Sequence, residues 1–149
     1  MLDLDLDLIL AILHHVFVFA LFGVLFAEFI VVRRGMDAAA AARIVPIDAW
    51  YGVLAALIII VGFSRAIFAA KGWTYYAHNG FFWAKIGTFI VIGLLSVPPT
   101  LAFSKWRRAG ASPTDEAVAK VRPYLWIQMA LFPLLPAFAA TMARGYGEF

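Results

Sequence analysis

The residues able to do chemistry in this chain are few, and apolar neighbours surround them. His14 and His15 stand inside the run LILAILHHVFVFALFGVLFAEFIVV, residues 8–32, which also carries Glu28. Arg65 lies near the end of a second apolar run, and Lys85 near the start of a third. As antiparallel helices rising about 1.5 Å per residue, these runs place His14 ~9 Å, Arg65 ~7 Å and Lys85 ~6 Å below one end. Three nitrogenous side chains from three helices then share a level. No carboxylate is expected at that depth, because Asp3, Asp5 and Asp7 come earlier in the chain and shallower. Such a cluster in lipid calls for an anionic ligand. A b-type haem fits, with His14 as axial metal ligand and with Arg65 and Lys85 binding the propionates. A quinone would make weaker demands on the same groups. The plainer account has both cations snorkelling to the interface and the imidazole hydrogen-bonded to a backbone carbonyl.

Adjacent histidines point about 100° apart on a helix, so only one of the pair can face the pocket. Residues 14, 21 and 28 share a stripe, which puts His14 on the face of Glu28 but ~21 Å from it along the axis. A second polar layer, nearer the other end, holds Glu28, Asp48, Tyr51 and Gln128. Glu28 is expected to pair with Arg33, Arg34 or a basic residue of the third connection; a proton relay is the functional alternative.

These side chains need spans to position them, and the composition supplies spans. Hydrophobic residues make up 64% of the 149 and charged residues 14%, and the mean hydropathy is +0.90. A soluble domain is nearer half apolar and a quarter charged. The fold class expected is all-α: one domain, residues 1–149, an integral membrane four-helix bundle with spans at 8–32, 47–70, 81–104 and 123–143 and up-down-up-down order. Arg33-Arg34-Gly35 stops the first span. Residues 37–45 read as a separate short helix broken by Pro46, and 71–80 as a loop. Pro98-Pro99 should bend or end the third span, and Pro133 and Pro136 should kink the fourth. Ser112-Pro113-Thr114-Asp115 reads as a helix start with Ser112 as N-cap. Gly145 and Gly147 suggest a frayed tail. The N-terminus lacks the basic residues of a cleaved signal, so the first span is expected to be retained.

Charge sets the orientation. The first and third connections hold eight of the flanking Lys and Arg residues, against two for the second connection and the tail. The positive-inside rule then puts both termini on the outer side of a cell inner membrane. The net charge of +3 is spread in short runs beside the spans, which argues against nucleic acid as a partner. With no cysteine, thiolate metal sites and covalently attached haem are excluded. Trp50, Trp73, Trp83, Trp106 and Trp126 look like interfacial belt residues. Gly23 with Ala27, and Ala139 with Ala143, are small-residue pairs of the kind that let helices approach closely.

The segments HHVFVFALFGVLFAE, RRGMDAAAAARI, DAWYGVLAAL, FFWAKIGTFIVIGLLSVPPTLAF and MARG resemble a bacterial family of four-span membrane proteins known as domain of unknown function 2214. The resemblance implies that architecture for nearly the whole chain. Leu13-His14 and the lysine of FWAK are also similar, more weakly, to the four-span haem-binding protoporphyrinogen oxidases of bacteria. That similarity implies His14 as haem ligand and Lys85 as an essential pocket residue. Those enzymes carry another histidine deep in the lysine-bearing span; residues 86–104 have none, so His78 or Met142 would supply a second axial ligand. Three functions stay open. One is a haem or redox protein of the membrane. The second is a non-catalytic accessory or scaffold subunit, held in lipid beside a larger membrane complex or further copies of itself. The third is a transporter, against which the absence of internal repeats and the short chain count unless it oligomerises.

Overall fold

The computed structural model describes residues 2–68 and 71–149, with side chains from residue 5 onward. The far end of the expected second span, residues 69–70, lies outside the described residues. Six helices follow in order: α1 (Leu2–Val31), α2 (Ala38–Phe68), α3 (Gly72–Ala77), α4 (Gly80–Ala109), α5 (Asp115–Leu131) and α6 (Leu134–Ala143). Taken with α5 and α6 as one broken span, four segments are long and apolar enough to cross a membrane. The four spans form a closed ring in which α1 packs on α2, α2 on α4, α4 on α5 and α6, and α5 back on α1. The expected four-span helical bundle is therefore what the chain builds.

The core is a stripe from each helix. On α1 it runs through Leu21, Leu25, Glu28 and Val32, on α2 through Ile44, Tyr51, Leu54 and Ile58, and on α5 through Val118, Val121, Leu125 and Gln128. Spacings of three and four residues keep each stripe on one face. The opposite faces stay apolar and exposed, as at Phe19, Ile60, Leu94 and Trp126, because their solvent is lipid. Trp106 departs from the expected belt: it is buried against Phe103. The other four tryptophans are exposed.

Proline behaves differently from its reputation in three places. Pro46 and the Pro98-Pro99 pair sit inside unbroken helices, so there is no break at Pro46 and no early end at Pro98-Pro99. An interior proline costs about 3 kcal/mol. Packing outweighs that cost at Pro46, where the turns before it bury Ala41 and Ile44 in the main core. At Pro99 the missing N–H frees the Leu95 carbonyl, and the Gln128 side-chain amide donates to it at 3.3 Å. Only Pro133 interrupts a span, between α5 and α6. The N-cap of α5 is Thr114, which accepts from the Ala117 N–H, rather than Ser112.

The second connection is a one-turn-and-a-half helix, α3, instead of an open loop. The tail is pinned instead of frayed. The Gly80 N–H donates to the Gly147 carbonyl at 2.8 Å, the Phe149 N–H to the His78 carbonyl at 3.1 Å, and Asn79 Nδ2 to the Tyr146 carbonyl at 3.0 Å. Asn79 is fully buried, and its Oδ1 also accepts from the Phe81 and Phe82 N–H groups as the N-cap of α4.

Candidate functional site

The His14 level lies about three turns into α1, toward the end of α2 and the start of α4. The imidazole reaches this level between α1 and α2 because residue 62 of α2 has no side chain. A Cβ built on Gly62 would stand 3.1 Å from His14 Cε1 and 3.4 Å from Nδ1. Nδ1 of His14 is enclosed and has no hydrogen-bond partner among the described residues. The plain reading of a histidine satisfied by a backbone carbonyl fits His15 instead. Its Nδ1 lies 2.6 Å from the Ala11 carbonyl, and its ring faces outward.

Lys85 and Arg65 come close enough for their charges to act on the His14 ring. One expectation fails: Arg65 is not without an acid. Its Nε donates to Asp7 Oδ1 at 3.5 Å, and both side chains are about one-third exposed or less. Helix α1 starts several residues before the apolar run does, which carries Asp7 inward alongside the end of α2. Lys85 makes no ion pair among the described residues and lies 5.5 Å from the centre of the Phe82 ring. The two residues expected as a second axial ligand sit as follows. His78 Nδ1 is 2.9 Å from the Thr74 carbonyl, and Met142 packs into a small apolar cluster with Ala66, Tyr76 and Phe82.

Two open surface hollows, of about 520 and 620 Å³, lie at the opposite, arginine-rich end, and neither is lined by His14, Arg65 or Lys85.

The second layer crosses the bundle. Tyr51 donates its hydroxyl to Gln128 Oε1 at 2.9 Å, and Gln128 passes its own amide to α4. Thr100 donates to Asp48 Oδ1 at 2.8 Å. Glu28 does not pair as expected. It is 2% exposed, and its Oε1 has no partner among the described residues. Arg33 and Arg34 are exposed, and Arg122 of α5 turns to the end of α1. There it donates to the Phe29 and Val32 carbonyls and stacks over the Phe29 ring at 4.6 Å. Helix-end carbonyls lack intrahelical donors, so they compete for a nearby guanidinium. Gly23 also departs from its expected role in bundle packing: a Cβ there would meet nothing within 4 Å, and it faces outward.

The chain matches a family described as a predicted membrane protein, DUF2214, over residues 6–147. It belongs to that family. Family and spans together make it a multi-pass membrane protein. No curated protein and no solved structure matches the chain. The similarity to the protoporphyrinogen oxidases therefore rests on Leu13-His14 and Lys85 alone.

Proposed function

We propose that the protein is a haem-binding protein of the bacterial inner membrane, with the haem held where α1 begins. The observation that carries this reading is His14 Nδ1: a buried ring nitrogen, cradled over a glycine and without a partner among the described residues, at the level of a lysine that forms no ion pair among them. A buried polar atom left unpaired costs about 1–3 kcal/mol, so its retention suggests a use. His14 would be the axial ligand and Lys85 the partner of a propionate. Arg65 would contribute less than Lys85, because Asp7 already takes part of its charge. The bound group would supply one-electron chemistry at its iron. The chain's own work is to fix the imidazole through Gly62, to supply positive charge through Lys85 and to exclude water with apolar helix faces.

Purification from haem-replete cells tests the reading. A Soret band is expected. His14→Ala should abolish it, Lys85→Ala should weaken retention more than Arg65→Ala, and Gly62→Ala should weaken it by displacing the ring. His15→Ala should leave it unchanged. A colourless wild-type protein would sink the proposal.

The accessory reading has one observation in its favour. Gly23 opens a gap on the outer surface of α1 into which another helix could pack. Gly23→Leu should then leave the bundle folded and release it from a larger complex in mild detergent. A wild-type chain that already migrates alone would count against that reading.

A further inference from the structure

The arginine-rich half of the bundle holds a group that the haem reading does not use. Glu28 sits about one turn from the end of α1, or ~5 Å along the axis, and is 2% exposed. Its Oε1 is sealed from solvent with no donor among the described residues. Its electrostatic neighbours on α2 are Asp48, a second acid, and Tyr51. From α5 come Gln128, whose Oε1 and Nε2 are both engaged, and Arg122, whose Nη1 donates to two backbone carbonyls and which forms no ion pair with Glu28 among the described residues. On α1 itself, Arg33 and Arg34 are exposed. A buried carboxyl thus has a half-buried one as its electrostatic neighbour, and no basic side chain forms an ion pair with either among the described residues.

An ionised carboxylate removed from water costs several kcal/mol unless a positive charge accompanies it. The protein supplies none by contact, so the charge must come from outside the chain. The groups gathered here are two carboxyls, a phenol, an amide oxygen and the Thr100 hydroxyl. All are hard oxygen ligands, which select protons and alkali or alkaline-earth ions over softer metals. No group of three His, Cys, Asp or Glu that could hold a metal ion occurs among the described residues, which disfavours a divalent cage. A single positive charge matches the layer better than two.

We propose that Glu28 is the centre of a binding site for one small cation, a proton or an alkali metal ion, set among Asp48, Tyr51, Thr100 and Gln128. With a proton, Glu28 Oε1 takes H⁺ from water and later returns it to water, and no other bond changes. With an alkali ion, the carboxylate stays ionised and the ion takes the place of that proton. Asp48 adds negative charge to the site, and the Tyr51–Gln128–Leu95 chain ties three spans together behind it. A site of this kind, between α1, α2, α4 and α5, makes the packing of those spans depend on its occupant.

Dicyclohexylcarbodiimide, an apolar reagent that modifies protonated carboxyls, tests this on the purified full chain in detergent. Peptide mass spectrometry should find the adduct on Glu28. With a proton as the occupant, the adduct should be lost as pH is raised and be unaffected when sodium chloride replaces choline chloride. With an alkali ion as the occupant, sodium should suppress the adduct at constant pH and choline should not. Tyr51→Phe and Asp48→Asn should each shift the midpoint of whichever dependence is seen, while Glu28→Gln should lose the adduct at that peptide. His14→Ala should change none of this, so failure of the haem reading is separable. An absent adduct at Glu28, or one indifferent to both pH and sodium, would overturn the proposal.

Discussion

Gly147 shows how much one position can demand. Its φ is +86°, and a Cβ there would meet the Phe81 ring at 2.5 Å. Gly145 has a similar φ of +82° but opens into free space. An L side chain in the left-handed region costs roughly 1–2 kcal/mol at either site. Only at 147 must the Phe81 ring also move. Gly147→Ala should therefore lower the thermal midpoint in detergent more than Gly145→Ala. At ~2–4 °C per kcal/mol for a chain of this size, the difference is measurable. Equal effects would mean the tail is not docked on Phe81. At this scale the sequence showed which residues were chemically unusual, but not their partners. His14 and Glu28 stood out as titratable groups in apolar runs, whereas the acid facing Arg65 and the base missing from Glu28 depended on where neighbouring helices ended.

Among the helices, the Pro99–Gln128 pair is the instructive case. Pro99 removes the N–H that would have answered the Leu95 carbonyl, and Gln128 from another span answers it instead. Gln128→Leu should leave that carbonyl and the Tyr51 hydroxyl unpaired, costing about 1–3 kcal/mol for each buried group. Pro99→Ala restores a helical donor to Leu95. Gln128→Leu should consequently be less destabilising in the Pro99→Ala background, a coupling that a double-mutant cycle in detergent would read directly. Strict additivity would show that the two residues are independent. Helix positions and lengths were broadly legible because spans are long and apolar. Helix continuity through proline was not, since at Pro99 it depends on a partner 33 residues away, the Gln128 amide that answers the Leu95 carbonyl.

For the whole molecule, the charge bias between connections predicts the orientation. Both termini, α3 and the Asp7–Arg65 pair lie at one end of the bundle; Arg33, Arg34, Arg107 and Arg108 belong to the other. Reporter fusions after Arg34 and Arg108 should report the cytoplasm, and fusions after Gly72 and Phe149 the outer side. The inverse pattern would place the His14 level inside and the Glu28 layer outside. The two layers occupy opposite halves of one ring of helices, so the topology decides which of them faces which compartment.

What the sequence determined alone was the class: hydropathy and span length force α-helices in lipid, where every backbone group must find an internal partner. It also determined the two polar layers, because a rise of 1.5 Å per residue converts position into depth. Pairing was decided only by the tertiary structure. Asp7 reached Arg65 because α1 extends beyond its apolar run. Arg122 went to the carbonyls of Phe29 and Val32 and left Glu28 without a counter-charge. Gly62 made room for the His14 ring. Depth is a property of one helix, read along its axis. Contact depends on the rotation and the ends of two helices at once, and those are set by packing of the assembled bundle.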